Sequence, residues 1–231
     1  MPIQKYFVQE NARRAEIDEF LSQDLKRAGY SKVEMTKTPL GTRVVVYAAK
    51  PGLVIGRRGE SIRELTQVLE KRFGVQNPQI SVATLEAPEL DAKVVASQIA
   101  MALQRGIHFR RAAYWALQRT IEAGALGVEI TIRGKLTTDR ARYEKYKAGY
   151  LPSVGEGISK IVRFAVVDTQ LKQGLFGIRV RLMPPNVSLP DKPTIRDVPT
   201  QPVQHEPVLA QVVAETSEAK EVAEPANPEE A

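Results

Sequence analysis

The chain has 231 residues, a formal net charge of +6, an ordinary hydrophobic fraction of 43% and no cysteine. That length fits one large domain or two small ones with a tail, and the lack of cysteine excludes disulfides, thiolate metal sites and a cysteine nucleophile, which suits a reducing compartment. No apolar run approaches the roughly 20 residues that cross a bilayer, and the start Met1-Pro-Ile-Gln-Lys-Tyr-Phe7 lacks the apolar centre of a secretory signal, so a soluble cytoplasmic protein with no membrane partner is expected.

Gln4 to Ala28 predicts a helix, with Ile17, Phe20, Leu21 and Leu25 on one face and Gly29 as its stop. Val33–Thr38 and Arg43–Ala48 predict strands joined at Pro39-Leu-Gly41. Pro51–Ile55 makes one helical turn before Gly56-Arg57-Arg58-Gly59. A helix from Glu60 to Phe73 then points Ile62, Leu65, Leu69 and Phe73 inward and ends at Gly74. Gln79–Leu85 alternates as a strand. Asp91–Arg105 and Phe109–Ala123 predict helices, and Val128–Arg133 alternates as a strand with Val128, Ile130 and Ile132 on one face. Asp139–Pro152 is basic and rich in tyrosine, without a clear core pattern. Ser159–Asp168 and Ile178–Met183 predict strands linked near Gln173-Gly174.

Beyond Pro184-Pro185 the composition changes. From Asn186 onward the chain has seven of its 15 prolines, no glycine and no aromatic residue, and it has three basic against nine acidic residues. Such a segment buries too little apolar surface to offset its ordering entropy, so a disordered acidic tail is expected at 186–231. The tail carries −6, which leaves +12 on residues 1–185, a body that attracts polyanions.

Three Gly-x-x-Gly runs occur. Gly124–Gly127 reads as a helix cap, and Gly174–Gly177 as a turn running into core. Only Gly56–Gly59 combines two central arginines, a preceding apolar Leu53-Val54-Ile55 and a following amphipathic helix. Glycine permits a tight bend and close backbone approach. Arginine brings a permanently charged planar fork, and a helix start offers unpaired N–H groups. Together these suit the sugar-phosphate backbone of a nucleic acid and resemble the GXXG loop of a KH domain. The order helix, strand, strand, short helix, glycine loop, helix, strand matches the type II KH arrangement.

Two further clusters are basic and aromatic. Arg111, Trp115 and Arg119 are spaced four apart and share a helix face, with Arg105, His108, Arg110 and Tyr114 nearby. Trp115 either stacks on a base or a guanidinium, or sits at the edge of the core. In Asp139–Pro152, Arg140, Arg142, Lys145 and Lys147 alternate with Tyr143, Tyr146 and Tyr150, which fits a segment lining RNA, and Lys135, Arg179 and Arg181 extend that surface. No catalytic constellation, metal-ligand spacing or nucleotide-binding phosphate loop is legible, so no enzyme activity, cofactor or metal is expected.

These runs in this order resemble the universal KH-domain family of small ribosomal subunit protein three. The resemblance reaches from the N-terminal helix to about Pro185 and rests on Pro51–Leu65, His108-Phe-Arg-Arg-Ala-Ala113, Gly124-Ala-Leu-Gly-Val128, Arg133-Gly-Lys-Leu136, Ala141–Gly149 and Gly174-Leu-Phe-Gly-Ile-Arg-Val180. Arg57-Arg58 and Arg181-Leu-Met-Pro-Pro185 resemble archaeal and eukaryotic members, and the short acidic tail favours archaeal ones. The family implies an α+β chain, with a KH domain and flanking helices at 1–106 and a second small α+β domain at 107–185. It implies binding to small-subunit rRNA in the subunit head, beside neighbouring ribosomal proteins and the place where mRNA enters. Arg110 and Arg111 match the family's basic pair that lines the mRNA path and helps open mRNA structure, and Asp139–Pro152 matches a segment in contact with rRNA. A free-standing KH-type regulator of RNA and a nucleic-acid lyase acting through an exposed lysine are the rival readings.

Overall fold

The computed structural model describes residues 3–155, 158–185 and Val187. The expected tail, 186–231, lies outside the described residues apart from Val187. Helix α1 (Ile3–Asp24) runs on as a 3-10 turn, Leu25–Ala28, that stops at left-handed Gly29. Only the C-terminal part of α1 meets the core, through Ile17 and Leu21. Its first turns leave Ile3, Tyr6, Phe7 and Val8 exposed.

Strands β1 (Tyr30–Thr38) and β2 (Gly41–Ala48) pair antiparallel, and β3 (Pro78–Thr84) pairs parallel to β2, giving the order β1-β2-β3. The parallel crossover between β2 and β3 is made by α2 (Pro51–Ile55), the glycine loop and α3 (Glu60–Phe73). Proline at the first helical position starts α2, because its missing N–H would have no partner there anyway. Ile17, Leu21, Leu25, Val44, Val46, Val54, Leu65 and Leu69 form the core under this sheet. Element order, pairing and core match the expected type II KH fold.

The first strand begins earlier than Val33. Tyr30 is buried at 2% exposure, and its hydroxyl donates to Asp18 of α1. Burial, reinforced by the Asp18 carboxylate, pushes the Tyr30 hydroxyl well above its ordinary pKa. Lys93 completes the group, with its amino nitrogen 4.4 Å from the Tyr30 ring centre and 3.4 Å from Asp18. Three residues from separate segments thus tie the first domain to the start of the second.

The second domain is a four-stranded antiparallel sheet in the order β5-β4-β7-β6, with two helices on one face. Its elements are α4 (Ala92–Gln104), α5 (Phe109–Glu122), β4 (Gly127–Gly134), β5 (Arg142–Gly149), the single turn α6 (Ile158–Ile161), β6 (Arg163–Leu171) and β7 (Gly174–Met183). The Asp91 carboxylate caps α4 by accepting from the Lys93 N–H at 3.1 Å. The central strands β4 and β7 send Val128, Ile130, Ile132, Ile178, Val180 and Leu182 into the core, each with 0% exposure. α4 supplies Val95, Ala96, Ile99 and Leu103 to the same core. It therefore packs with the second domain, although the sequence grouped it with the first.

Two local expectations change. Arg142–Gly149 is a full strand where no pattern predicted one. It is an edge strand, paired only with β4, and Tyr146 is its sole buried side chain, so the usual apolar alternation is missing. Residues 158–161 form a helical turn, and the strand starts at Arg163 rather than at Ser159. The other two Gly-x-x-Gly runs sit as expected: Gly124 takes a positive φ of 93° just past α5, and Gly174 opens β7 with Phe176 buried behind it. Gly127 is required for a different reason, since a Cβ there would lie 2.0 Å from the Tyr150 carbonyl oxygen.

Candidate nucleic-acid interface

Among the described residues, basic side chains gather in three places, each set by a local feature of the fold. The first is the glycine loop. Gly56 has φ 74° and ψ −177°, a region essentially closed to residues with a Cβ. A Cβ there would also come within 2.2 Å of the Ser61 hydroxyl oxygen. The left-handed path continues through Arg58 at φ 54° and Gly59 at φ 76°. For a side-chain-bearing residue such as Arg58 that conformation costs about 1–2 kcal/mol. Arg57 and Arg58 are exposed, and among the described residues no side chain caps the start of α3 behind them. Two guanidinium groups and uncapped N–H groups thus face the same solvent, an arrangement complementary to phosphate oxygens.

The second place is the face of the second sheet opposite α4 and α5. Strand register puts Tyr143, Lys145 and Lys147 of β5 beside Arg133, Thr131 and Glu129 of β4. On the other side of β4 it puts Arg179 and Arg181 of β7 beside Thr131 and Glu129. Phe164 and Val166 of β6 complete the row. This face carries five cations, Arg133, Lys145, Lys147, Arg179 and Arg181, against the two acids Glu129 and Asp168. Long side chains roof it so well that Thr131 and Glu129 beneath are only 2% and 7% exposed. Lys145 pairs with Glu129 at 3.5 Å, and the Arg179 guanidinium lies 5.4 Å from the Phe164 ring centre. The Nε of Arg179 is buried without a hydrogen-bond partner among the described residues.

The register also separates the residues that the sequence grouped. Lys145, Lys147, Arg179 and Arg181 converge on the open face. Lys135 and Arg140 are exposed in the β4–β5 connection. Arg142 pairs with Gly134, which sets it on the helix side. Arg133 and the aromatic Phe164 join the open face without having been singled out, and only the pairing of distant strands brings them there.

The third place is α5, which sends its two leading arginines to different surroundings. Arg110 forms a forked pair with Glu144 of β5, Nε to Oε2 at 3.2 Å and Nη2 to Oε1 at 3.0 Å. The guanidinium, then the Tyr146 hydroxyl, hold the Glu144 carboxyl below the usual range. Burial and the same carboxylate push the Tyr146 hydroxyl up, and Tyr114 packs edge-on against its ring at 5.1 Å. Arg111 has no ion pair with another described residue. With Trp115 and Arg119 it lines a groove of about 960 Å³ between the two domains. Trp115 is 46% exposed, so it is not a core residue, and the Arg119 guanidinium lies 4.9 Å from its ring centre. Arg119 in turn pairs with Glu89 at 2.7 Å. His108 precedes α5, is exposed, and lines the same groove.

No described helix is long and apolar enough to cross a membrane. Among the described residues, no cluster of three or more His, Cys, Asp or Glu side chains is placed to hold a metal ion.

Comparison with known proteins agrees with both halves of this architecture. Residues 16–90 match the KH domain family, and residues 99–182 match the family described as ribosomal protein S3, C-terminal domain. Small ribosomal subunit protein uS3 of Methanocaldococcus jannaschii is 48% identical over 195 residues, covering 84% of this chain and 94% of its own. The uS3 protein of Saccharolobus solfataricus is 42% identical over 219 residues, 95% of each chain. That of Methanothermobacter thermautotrophicus is 49% identical over 190 residues, 82% of this chain and 74% of its own. With both domains matched in order and identity sustained over most of its length, the chain belongs to the uS3 family of small ribosomal subunit proteins.

Proposed function

We propose that the chain is a structural, non-enzymatic constituent of the small ribosomal subunit that binds rRNA in the subunit head and lines the path where mRNA enters. The observation that carries this reading is the open sheet face, where five cations surround exposed aromatic rings with two acids among them. Lys and Arg that replace counterions on phosphate gain most of their binding free energy from ion release. Lys145, Lys147, Arg179 and Arg181 act this way on rRNA, with Lys135, Arg140 and Arg142 reaching it from the β4–β5 edge. Gly56, Arg57, Arg58 and Gly59 hold a second stretch of RNA backbone at the start of α3. Tyr143 and Phe164 offer ring faces for unpaired bases. Neighbouring ribosomal proteins of the head are the other partners, the setting is cytoplasmic, and no cofactor is required.

Arg110 and Arg111 are assigned to mRNA. Changing both to alanine is expected to impair passage through structured mRNA more than subunit assembly. Arg110 is anchored on Glu144 and Arg111 is not, so Arg111→Ala alone should account for more of the loss than Arg110→Ala. Translation of hairpin-bearing messages, set beside sedimentation of the assembled particles, reads both quantities. An equal loss of assembly would make the pair rRNA anchors instead. A free-standing KH regulator would sediment apart from small subunits in a gradient of cell extract, whereas the subunit protein travels with them.

A further inference from the structure

The groove between the domains is not part of the surfaces assigned above, apart from Arg111. One wall comes from the first domain, through Arg27 and Lys50; the other comes from α4 and α5, through Arg105, Arg111, Trp115 and Arg119. Arg27, Lys50, Arg105 and Arg111 are exposed and make no ion pair with another described residue. Among the described residues of the lining the single acid is Glu89, and it is engaged by Arg119. Between the cations the wall is apolar, with Val94, Met101 and Ile107. Four uncompensated charges around one cleft repel one another and favour a polyanion between them.

We propose that this groove is a binding site for single-stranded RNA, in which an unpaired base stacks on Trp115 while Arg27, Lys50, Arg105 and Arg111 neutralise the flanking phosphates. The proposal rests on the RNA-binding reading above and adds a site to it. Charge alone would suit an acidic peptide as well. The half-exposed indole among arginines is what favours RNA, because a base has a π-face to lay on the ring and a carboxylate has none. The Arg119 guanidinium lies over the ring at 4.9 Å and Trp115 is still 46% exposed, so the indole is held in place with ring surface left for a ligand. A base must be unpaired for its face to reach the ring, and a groove of about 960 Å³ has room for a nucleotide-sized ligand.

Trp115 is the chain's only tryptophan, so its emission reports on this groove alone. An end-labelled decauridylate titrated into the full chain is expected to quench that emission saturably, with the quench reversed by added salt. Inorganic polyphosphate should compete and restore the emission. Arg105→Gln with Arg111→Gln should weaken the quenching isotherm at least tenfold while leaving the thermal midpoint in place, since both residues are exposed. If the label shows binding while Trp115 emission stays constant, the groove is not an RNA site and the sheet-face reading survives. If the oligonucleotide does not bind at all, both fall. Ultraviolet crosslinking of assembled small subunits then identifies the source of the strand. A Trp115-bearing peptide joined to rRNA or to message supports the proposal and tells which, whereas one joined only to another protein overturns it.

Discussion

Replacing Arg179 and Arg181 together by glutamine is expected to weaken binding to small-subunit rRNA by one to two orders of magnitude at about 0.1 M salt. Removing two phosphate contacts should also make the slope of log K against log salt shallower by about 1.5–2. Both residues lie on the central strand β7, flanking Thr131 and Glu129 on the open face. Glutamine keeps much of the aliphatic stem that packs over Phe164 and removes only the charge, so the fold is retained. Filter binding across a salt series measures affinity and slope, and circular dichroism of the variant checks the fold. A variant with lower affinity but an unchanged slope would mean that these arginines act by shaping the surface rather than by neutralising phosphate.

Ile130→Ala should have the largest effect on stability. Ile130 is fully buried in β4, between Tyr146 and Val180 on the neighbouring strands. Truncating a buried isoleucine costs about 2–5 kcal/mol, because the lost transfer free energy is joined by the cavity left behind. For a domain of this size that lowers the melting midpoint by on the order of 10 °C or more. Val166→Ala is the matched control on the opposite face of the same sheet. Val166 is 54% exposed, and its truncation should change stability by no more than about 0.5 kcal/mol. Comparable losses from both would show that the second face is also covered in the isolated chain.

Much of this arrangement is legible in the sequence, because local pattern carries it. Ile62, Leu65, Leu69 and Phe73 announce α3, Val128, Ile130 and Ile132 announce β4, and Gly56–Gly59 sits where a backbone must turn against Ser61. Spacing alone also placed Arg111, Trp115 and Arg119 on one helix face, and all three line the groove. What stayed hidden depends on long-range pairing. Strand β5 presents mainly polar and charged side chains, and its place in the sheet follows from hydrogen bonds to β4 rather than from a period of its own. The partner of Arg110 lies 34 positions away, and Glu144 on its own resembles any solvated carboxylate. Arg27 and Lys50 reach the groove only because the two domains close over it, and neither bears a local mark of that role.

The affinity of the intact chain for small-subunit rRNA, measured from about 0.05 to 0.5 M salt, addresses the RNA-binding account most directly. Neutralising about five phosphates predicts a straight line of log K against log salt with a slope of about −4 or steeper. A nearly flat line would contradict the account, since it would mean that the basic face and the glycine loop do not hold RNA through its phosphates.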